Sequence, residues 1–146
     1  MKFTKPSAAG YVVSFDFGEP ALRPALSLEY FERLALQNEI FAGDVFFVGI
    51  AGAKHDFRIV TRQSDITGVA ASESDIVRLM NEELGFVLFP AKFSVGYAES
   101  LAFLRADVAV FDLRPANVVK TDNGIIVPIH SIPVLLDESS RRILAG

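Results

Sequence analysis

The 146-residue sequence contains no cysteine and no tryptophan, and it has no apolar run of the length that a membrane-spanning helix needs. Without cysteine there is no disulfide framework and no thiolate metal site. A membrane span requires roughly 18–20 consecutive apolar residues. The amino-terminal segment is interrupted by Ser14 and Asp16 before it reaches the apolar length of a signal peptide. We therefore expect a cytoplasmic protein that does not contact a membrane.

An excess of positive charge is also lacking. The chain has 14 Lys and Arg residues against 18 Asp and Glu residues, for a net charge of −4. A protein that binds the phosphate backbone of a nucleic acid normally presents a basic face, whereas the basic residues are scattered here. We expect no nucleic-acid partner.

Apolar residues, by contrast, are abundant. They make up 51% of the chain, with 13 phenylalanines, and the mean hydropathy is +0.35. This excess predicts apolar surface that is left for a protein partner or for a second copy of the chain. The length is that of one domain, so residues 1–146 are predicted to form a single domain. Five phenylalanines are expected in its core: Phe31, Phe41, Phe46, Phe86 and Phe103.

Two helices are predicted from residues at helical spacing. The first covers residues 27–41, with Ser27 as its N-cap and Gly43 as its stop. Its apolar face is predicted to contain Leu28, Phe31, Leu34 and Ala35. The second covers residues 72–84, begins with a capping box and ends at a glycine. The residues of that box are Ser72 and Asp75, and the glycine is Gly85.

Short strands are predicted for most of the remaining chain, so the predicted fold class is α+β with mixed or antiparallel strands. Residues 11–17 form one strand, residues 44–62 form two strands joined by a hairpin, and several more follow Phe86. The Asn-Gly pair at 123–124 favours a type I′ turn. Apolar and polar residues alternate little along residues 102–112 and 117–136, as in strands that are covered on both faces. Two helices cannot cover them, so we expect exposed apolar surface there and a symmetric homodimer.

The residues with the most chemical content follow an apolar strand. Asp112 begins the sequence D-L-R-P-A-N, which also contains Arg114 and ends at Asn117, and His130 follows Asn117 by thirteen residues. A predicted hairpin separates Asn117 from His130, so we expect the side chains of Asp112, Asn117 and His130 to converge. This stretch resembles the catalytic-loop motif of protein kinases, D-L-K-P-x-N, with Arg114 in the position of the lysine.

The resemblance implies a role for each of these residues. Asp112 would orient the attacking hydroxyl or accept its proton, Arg114 would hold the transferred phosphoryl group, and Asn117 would bind a metal ion. His130 occupies the position of the metal-binding aspartate of the D-F-G motif, so Asn117 and His130 would form the metal site. Glu32 in the first helix would belong to the nucleotide site. The implied cofactor is ATP with Mg²⁺ or Mn²⁺.

The order of the upstream elements agrees with this resemblance. Residues 11–62 would correspond to a kinase amino-terminal lobe and residues 72–136 to a truncated carboxy-terminal lobe. The arrangement, together with segments such as "LQNEIF" and "VTRQSDITG", is similar to the kinase-like ATP-binding domains of polyvalent proteins of phages and mobile elements. The implied fold is a reduced protein-kinase-like fold.

The sequence also departs from the kinase pattern in several places. There is no Gly-rich loop and no lysine that would pair with Glu32 or Glu39, and Val110 and Phe111 replace the His-Arg pair before Asp112. The main hypothesis is therefore a pseudokinase that serves as a binding or interaction module. One alternative is a minimal nucleotide-dependent phosphotransferase. The other is an unrelated α+β scaffold, in which Asp112 caps backbone amides at a corner between strands.

Overall fold

The computed structural model describes all 146 residues and has a mixed α+β architecture, which confirms the predicted fold class. Its helices are α1 (Ser27–Phe41), α2 (Glu73–Arg78) and α3 (Glu138–Ala145), and α2 continues into a π-helical turn at Leu79–Glu83. None of these helices has both the length and the apolar character needed to cross a membrane.

Twelve short strands make up the β structure. In chain order they are β1 (Lys2–Thr4), β2 (Tyr11–Ser14), β3 (Ala21–Pro24), β4 (Phe46–Ala53), β5 (Asp56–Arg62), β6 (Val69–Ala70), β7 (Val87–Leu88), β8 (Leu101–Arg105), β9 (Val108–Leu113), β10 (Val118–Lys120), β11 (Ile126–Pro128) and β12 (Ile132–Leu135). They form three sheets with the orders β1-β5-β4, β11-β10-β6 and β12-β9-β8-β7, and β2 pairs with β3. The ladders of the first three sheets are antiparallel.

The chain divides into two compact units. The first unit comprises residues 1–12 and 23–65, and the second comprises residues 13–22 and 66–146. The assignment of residues 1–146 to a single domain stays a prediction.

Helix α1 has the predicted bounds, but its ends and its buried face differ from the prediction. Ser27 is the first helical residue and not the N-cap, and the Glu29 carboxylate accepts the backbone N–H of Leu26 at 3.0 Å. The left-handed residue at its end is Ala42, with φ 51°, and not Gly43.

The predicted apolar face of α1 is wrong in part. Leu28 and Ala35 are exposed, while the buried positions are Tyr30, Arg33 and Gln37. Arg33 is buried because its guanidinium donates to the Tyr11 carbonyl at 3.0 Å and lies over the Tyr30 ring. Specific polar contacts have here replaced apolar packing, and the residue pattern did not signal this.

The second predicted helix has the predicted caps. Ser72 and Asp75 accept each other's backbone N–H at 3.1 and 3.2 Å, which is the reciprocal arrangement of a capping box. Gly85 ends the helix with φ +73°. The face formed by Ile76, Leu79 and Met80 is buried.

The apolar core of the second unit lies between its largest sheet and the carboxy-terminal helix. Phe111 and Ile132 pack with Leu136 and with Leu144 of α3. Helix α3 is not among the two predicted helices, although Asp137 and Ser140 form a capping box at its start. The exposed apolar surface expected on residues 102–112 is therefore wrong, because strands β8 and β9 are largely buried. In residues 117–136, Ile125 and Leu135 are exposed.

Two local predictions in this unit also need correction. Residues 92–97, in the region where further strands were expected after Phe86, form a 3-10 turn and bends. The hairpin between β10 and β11 is present, but Asn123 does not have the positive φ of a type I′ turn; only Gly124 does, at +80°. The N–H of Gly124 donates to the Thr121 carbonyl at 2.9 Å. A turn followed by a left-handed glycine is the three-residue hairpin that carries a bulge.

The five phenylalanines that were predicted to lie in the core differ in their burial. Phe86 and Phe103 are fully buried, and Phe31 and Phe41 are partly buried. Phe46 is exposed on β4 in the first unit, beside other exposed apolar residues. The first unit's sheet therefore presents part of the apolar surface that the composition predicted, and the second unit presents more of it at residues such as Val87 and Leu135.

Candidate functional site

The candidate site lies at the end of β9, in the second unit. Asp112 has a φ of +62°, in the left-handed region that only a few per cent of non-glycine residues adopt. Asp is among the residues that tolerate this conformation best, because its short side chain can form local hydrogen bonds. The conformation takes Asp112 out of the regular strand geometry at the point where the D-L-R-P-A-N segment begins.

Two hydrogen bonds hold the Asp112 carboxylate. The hydroxyl of Ser100 donates to Oδ1 at 3.0 Å, and the amide of Asn117 donates to Oδ2 at 3.1 Å. The same amide group also donates to the backbone carbonyl of Asp112 at 2.8 Å. Asn117 therefore fixes both the carboxylate and the backbone of Asp112. These partners are side chains and not the backbone amides that a corner between strands would supply.

His130 approaches the same carboxylate from the hairpin. Its Nε2 lies 3.5 Å from Asp112 Oδ2. The carbonyl of Asn117 accepts the backbone N–H groups of Ile129 and His130 at 2.9 and 3.3 Å, so the end of β11 is tied to the start of β10. The side chains of Asp112, Asn117 and His130 therefore come together, as the hairpin between Asn117 and His130 led us to expect.

The pKa of Asp112 reflects opposing effects. Burial of the carboxyl group raises its pKa, but the contacts with His130 and Ser100, together with the nearby Arg114 guanidinium, outweigh the effect of burial. The net result is a pKa below the ordinary value for aspartate. A carboxylate that is stabilised in this way is a weak proton acceptor at neutral pH.

Arg114 is held in place by an aromatic ring and by Asp112. The centre of its guanidinium lies 3.9 Å from the centroid of the Tyr97 ring, in a cation–π arrangement. Its Nε is buried, has no hydrogen bond, and lies 3.5 Å from Asp112 Oδ1. The Arg114 side chain is thus held between Tyr97 and Asp112.

Glu32 is not part of this cluster. It lies on α1 in the first unit, where its side chain is exposed and forms no ion pair. The neighbouring residue on the helix, Arg33, forms the buried contacts of α1 instead.

The sequence reasoning missed three residues around Asp112. Ser100 is almost fully buried and donates to the carboxylate, Tyr97 packs against Arg114, and Gly96 would place a Cβ 3.7 Å from Asp112 Oδ1. Gly96 also has a φ of +85°, which favours glycine at that position. All three belong to the loop before β8. No residue pattern indicates that this loop packs against the end of β9.

The donor set fits a magnesium ion poorly. No group of three or more His, Asp or Glu side chains is placed to hold a metal ion. Mg²⁺ prefers oxygen ligands, but His130 supplies a nitrogen, and the amide nitrogen of Asn117 is directed at Asp112. Of the side-chain atoms of Asn117 and His130, only the amide oxygen of Asn117 suits Mg²⁺.

Comparisons with known proteins add no relative: no family model, no curated protein and no solved structure matches this chain.

Proposed function

We propose that this chain is a kinase-like domain that has lost phosphotransfer and acts as a binding or interaction module. The observation that carries the proposal is the environment of Asp112. Its carboxylate contacts Ser100, Asn117, His130 and Arg114, and its pKa is lowered. A general base needs a pKa near the working pH and room for the proton donor of the substrate. In this arrangement Asp112 organises the loop and does not act as a base.

The other residues that the resemblance implies argue for weak nucleotide binding. Arg114 stacks on Tyr97, which favours a structural role for this side chain over the binding of a phosphate. Glu32 has no cationic partner, and Asn117 offers one oxygen to a metal where Mg²⁺ needs several. ATP with Mg²⁺ or Mn²⁺ remains the cofactor that the resemblance implies. We expect it to bind weakly or not at all.

Calorimetric titration with ATP, with and without Mg²⁺ or Mn²⁺, tests this proposal. The expected result is no binding tighter than about 1 mM. Metal-dependent binding with a Kd near 1 µM, about a thousandfold tighter, would contradict it.

A substitution in the cluster sharpens the test. His130→Asp replaces a nitrogen by the oxygen ligands that Mg²⁺ prefers, so it should gain metal-dependent thermal stabilisation in the presence of ATP. The only other histidine, His55, lies in the exposed turn between β4 and β5, so His55→Asp is the matched control and should show no gain. Equal responses of the two variants would mean that the cluster has no connection with a nucleotide site.

A minimal phosphotransferase is the second candidate function. It is favoured by one observation, namely that Asp112, Arg114 and Asn117 meet on one short loop. Phosphate release from ATP, abolished by Asp112→Asn, would support it over the binding module. An unrelated α+β scaffold predicts neither nucleotide binding nor any response to His130→Asp.

The proposed setting is cytoplasmic, within a polyvalent protein of a mobile element, with a protein partner or a second copy of the chain and no nucleic acid. The exposed apolar residues of β4 support a protein partner.

A further inference from the structure

The outer edge of strand β4 in the first unit has no partner strand. β4 pairs with β5 on one side and is the last strand of the sheet on the other. It has eight residues and is the longest strand of the chain. Its start is fixed to α1, because the Asn38 side chain donates to the Val45 carbonyl at 2.7 Å and accepts the Val45 N–H at 3.0 Å. A long edge that is fixed in this way is a template for another strand.

The side chains of β4 lack the features that usually protect an edge strand. The strand contains no charged residue and no proline, although lysine and proline are the common protecting residues. Its pairing with β5 shifts register between Phe47 and Gly49, and Gly52 near its end has a φ of +104°. Phe47 is 55% exposed and Ile50 is 66% exposed, and Phe46 and Val48 are exposed as well. The edge therefore offers both backbone hydrogen-bonding groups and apolar surface.

A groove lies along one face of the sheet beside this edge. It has a volume of about 320 Å³ and is lined by Ser27, Phe31, Phe47, Ile50, Phe57 and Ile59. These residues belong to α1, β4 and β5, all within the first unit. A strand added to β4 would place alternate side chains over this face.

The sequence of β4 is complementary to itself in an antiparallel arrangement centred on Gly49. In that register the two phenylalanines at positions 46 and 47 face the glycine and alanine at positions 52 and 51 of the other copy, and Val48 faces Ile50. Each phenylalanine thus lies opposite a small residue of the other copy. Gly49 faces itself at the centre, where a twofold axis would pass.

The charges at the two ends of β4 also match in this register. Asp44 precedes the strand and Lys54 follows it, so each Asp44 lies opposite the Lys54 of the other copy. Asp44 is positioned by Ser64, whose backbone N–H and hydroxyl both donate to its carboxylate. Lys54 is exposed in the turn and forms no ion pair. A parallel arrangement would instead place like charges side by side.

We propose that β4 pairs in antiparallel register with β4 of a second copy of this chain, with the twofold axis at Gly49, so that two three-stranded sheets join into one. The proposal goes beyond the proposed function, because it concerns the first unit and holds whether or not the Asp112 cluster binds a nucleotide.

An engineered cysteine tests the register directly. The chain has no cysteine, so Gly49→Cys introduces a single thiol. An added Cβ at Gly49 meets no atom within 4 Å, so the substitution does not disturb the fold. Directly opposed residues of an antiparallel pair have Cα atoms about 4.5–5.5 Å apart, within the range that a disulfide spans. Mild oxidation should give a covalent dimer. A cysteine at the exposed Leu135, on edge strand β12, should not.

A charged residue placed on the edge tests the interface without a covalent cross-link. Sedimentation of the wild type from about 1 to 100 µM should show a reversible dimer. Ile50→Lys should weaken dimerisation at least about tenfold, whereas the matched variant Leu135→Lys should leave it unchanged. Circular dichroism of each variant controls for folding. Lys54→Glu should weaken the dimer less, and its effect should fall as salt is added.

Three results would overturn the proposal. A wild-type chain that stays monomeric up to about 100 µM would exclude a second copy as the occupant and leave the edge to a foreign strand. A dimer that resists Ile50→Lys would place the interface elsewhere. A dimer that is sensitive to Ile50→Lys but not cross-linked through Gly49→Cys would contradict the register.

Discussion

The two units of the chain differ in where they place apolar and polar side chains. In the second unit, Phe103 and Phe111 are fully buried, and the polar residues around Asp112 contact one another. In the first unit, the buried face of α1 includes Arg33 and Gln37, while the apolar residues of β4 are exposed. An exposed apolar patch in a protein commonly marks an interaction surface. The comparison shows that the first unit carries an exposed apolar strand, β4, whereas the second unit carries a polar cluster around Asp112.

The largest expected effect contrasts one phenylalanine from each unit. Phe111→Ala should lower the free energy of unfolding by about 3–5 kcal/mol, because it leaves a cavity in the core. Phe47→Ala should change it by about 0.5 kcal/mol, because the side chain is exposed. Urea denaturation at a dilution where the chain is monomeric measures both. Similar losses would show that the first unit's surface is as tightly packed as the second unit's core.

A smaller effect is expected inside the polar cluster. Asn117→Ala removes the donors to the carboxylate and the carbonyl of Asp112, and it should lower the free energy of unfolding by about 1–3 kcal/mol. Asn123→Ala, in the exposed hairpin turn, is the control and should change it by no more than about 0.5 kcal/mol. If the two variants lose the same amount, the contacts of Asn117 do not stabilise the loop.

The smallest expected effect is a change in acid sensitivity. Because the pKa of Asp112 is lowered in the folded state, its ionised form stabilises the fold at pH values above the ordinary value of 3.8. That stabilisation is lost as the pH falls below 3.8 and through the lower, folded-state pKa. The variant Asp112→Asn lacks this carboxyl group, so its free energy of unfolding should depend less steeply on pH below 3.8 than that of the wild type.

The matched control for the acid experiment is Asp122→Asn in the exposed turn between β10 and β11, which should keep the wild-type slope. Denaturation curves at a series of pH values, for the wild type and both variants, make the comparison. Parallel curves for all three proteins would mean that Asp112 is not preferentially stabilised in its ionised form.

Elements with local signals were predictable from the sequence. The capping box at Ser72 and Asp75 and the glycine stop at Gly85 depend on residues a few positions apart, so the pattern alone predicts them. The bounds of α1 were predicted in the same way, and so was the hairpin between β4 and β5. Helix α3 has an equally local capping box at Asp137, although it is not among the two predicted helices.

The candidate site was predictable only in part. The hairpin connection brings His130 back to Asn117, so the meeting of Asp112, Asn117 and His130 follows from chain connectivity. Ser100 and Tyr97 reach the same cluster from a loop before β8, and only the packing of that loop against β9 decides their contacts. Their spacing from Asp112 in the sequence matches neither the helix nor the strand period, so no residue pattern predicts the contact.

The sequence by itself determined the α+β class, the caps and turns of several elements, and an excess of apolar residues that some surface had to present. Only the tertiary structure decided which surface that is. Helix α3 covers part of the strands that were expected to be exposed, through Leu144, while β4 remains at the edge of its sheet with Phe46, Phe47 and Ile50 exposed. The physical reason is that alternation and composition report how apolar a strand is, whereas burial depends on which element packs against it, and that element can lie far away in the chain.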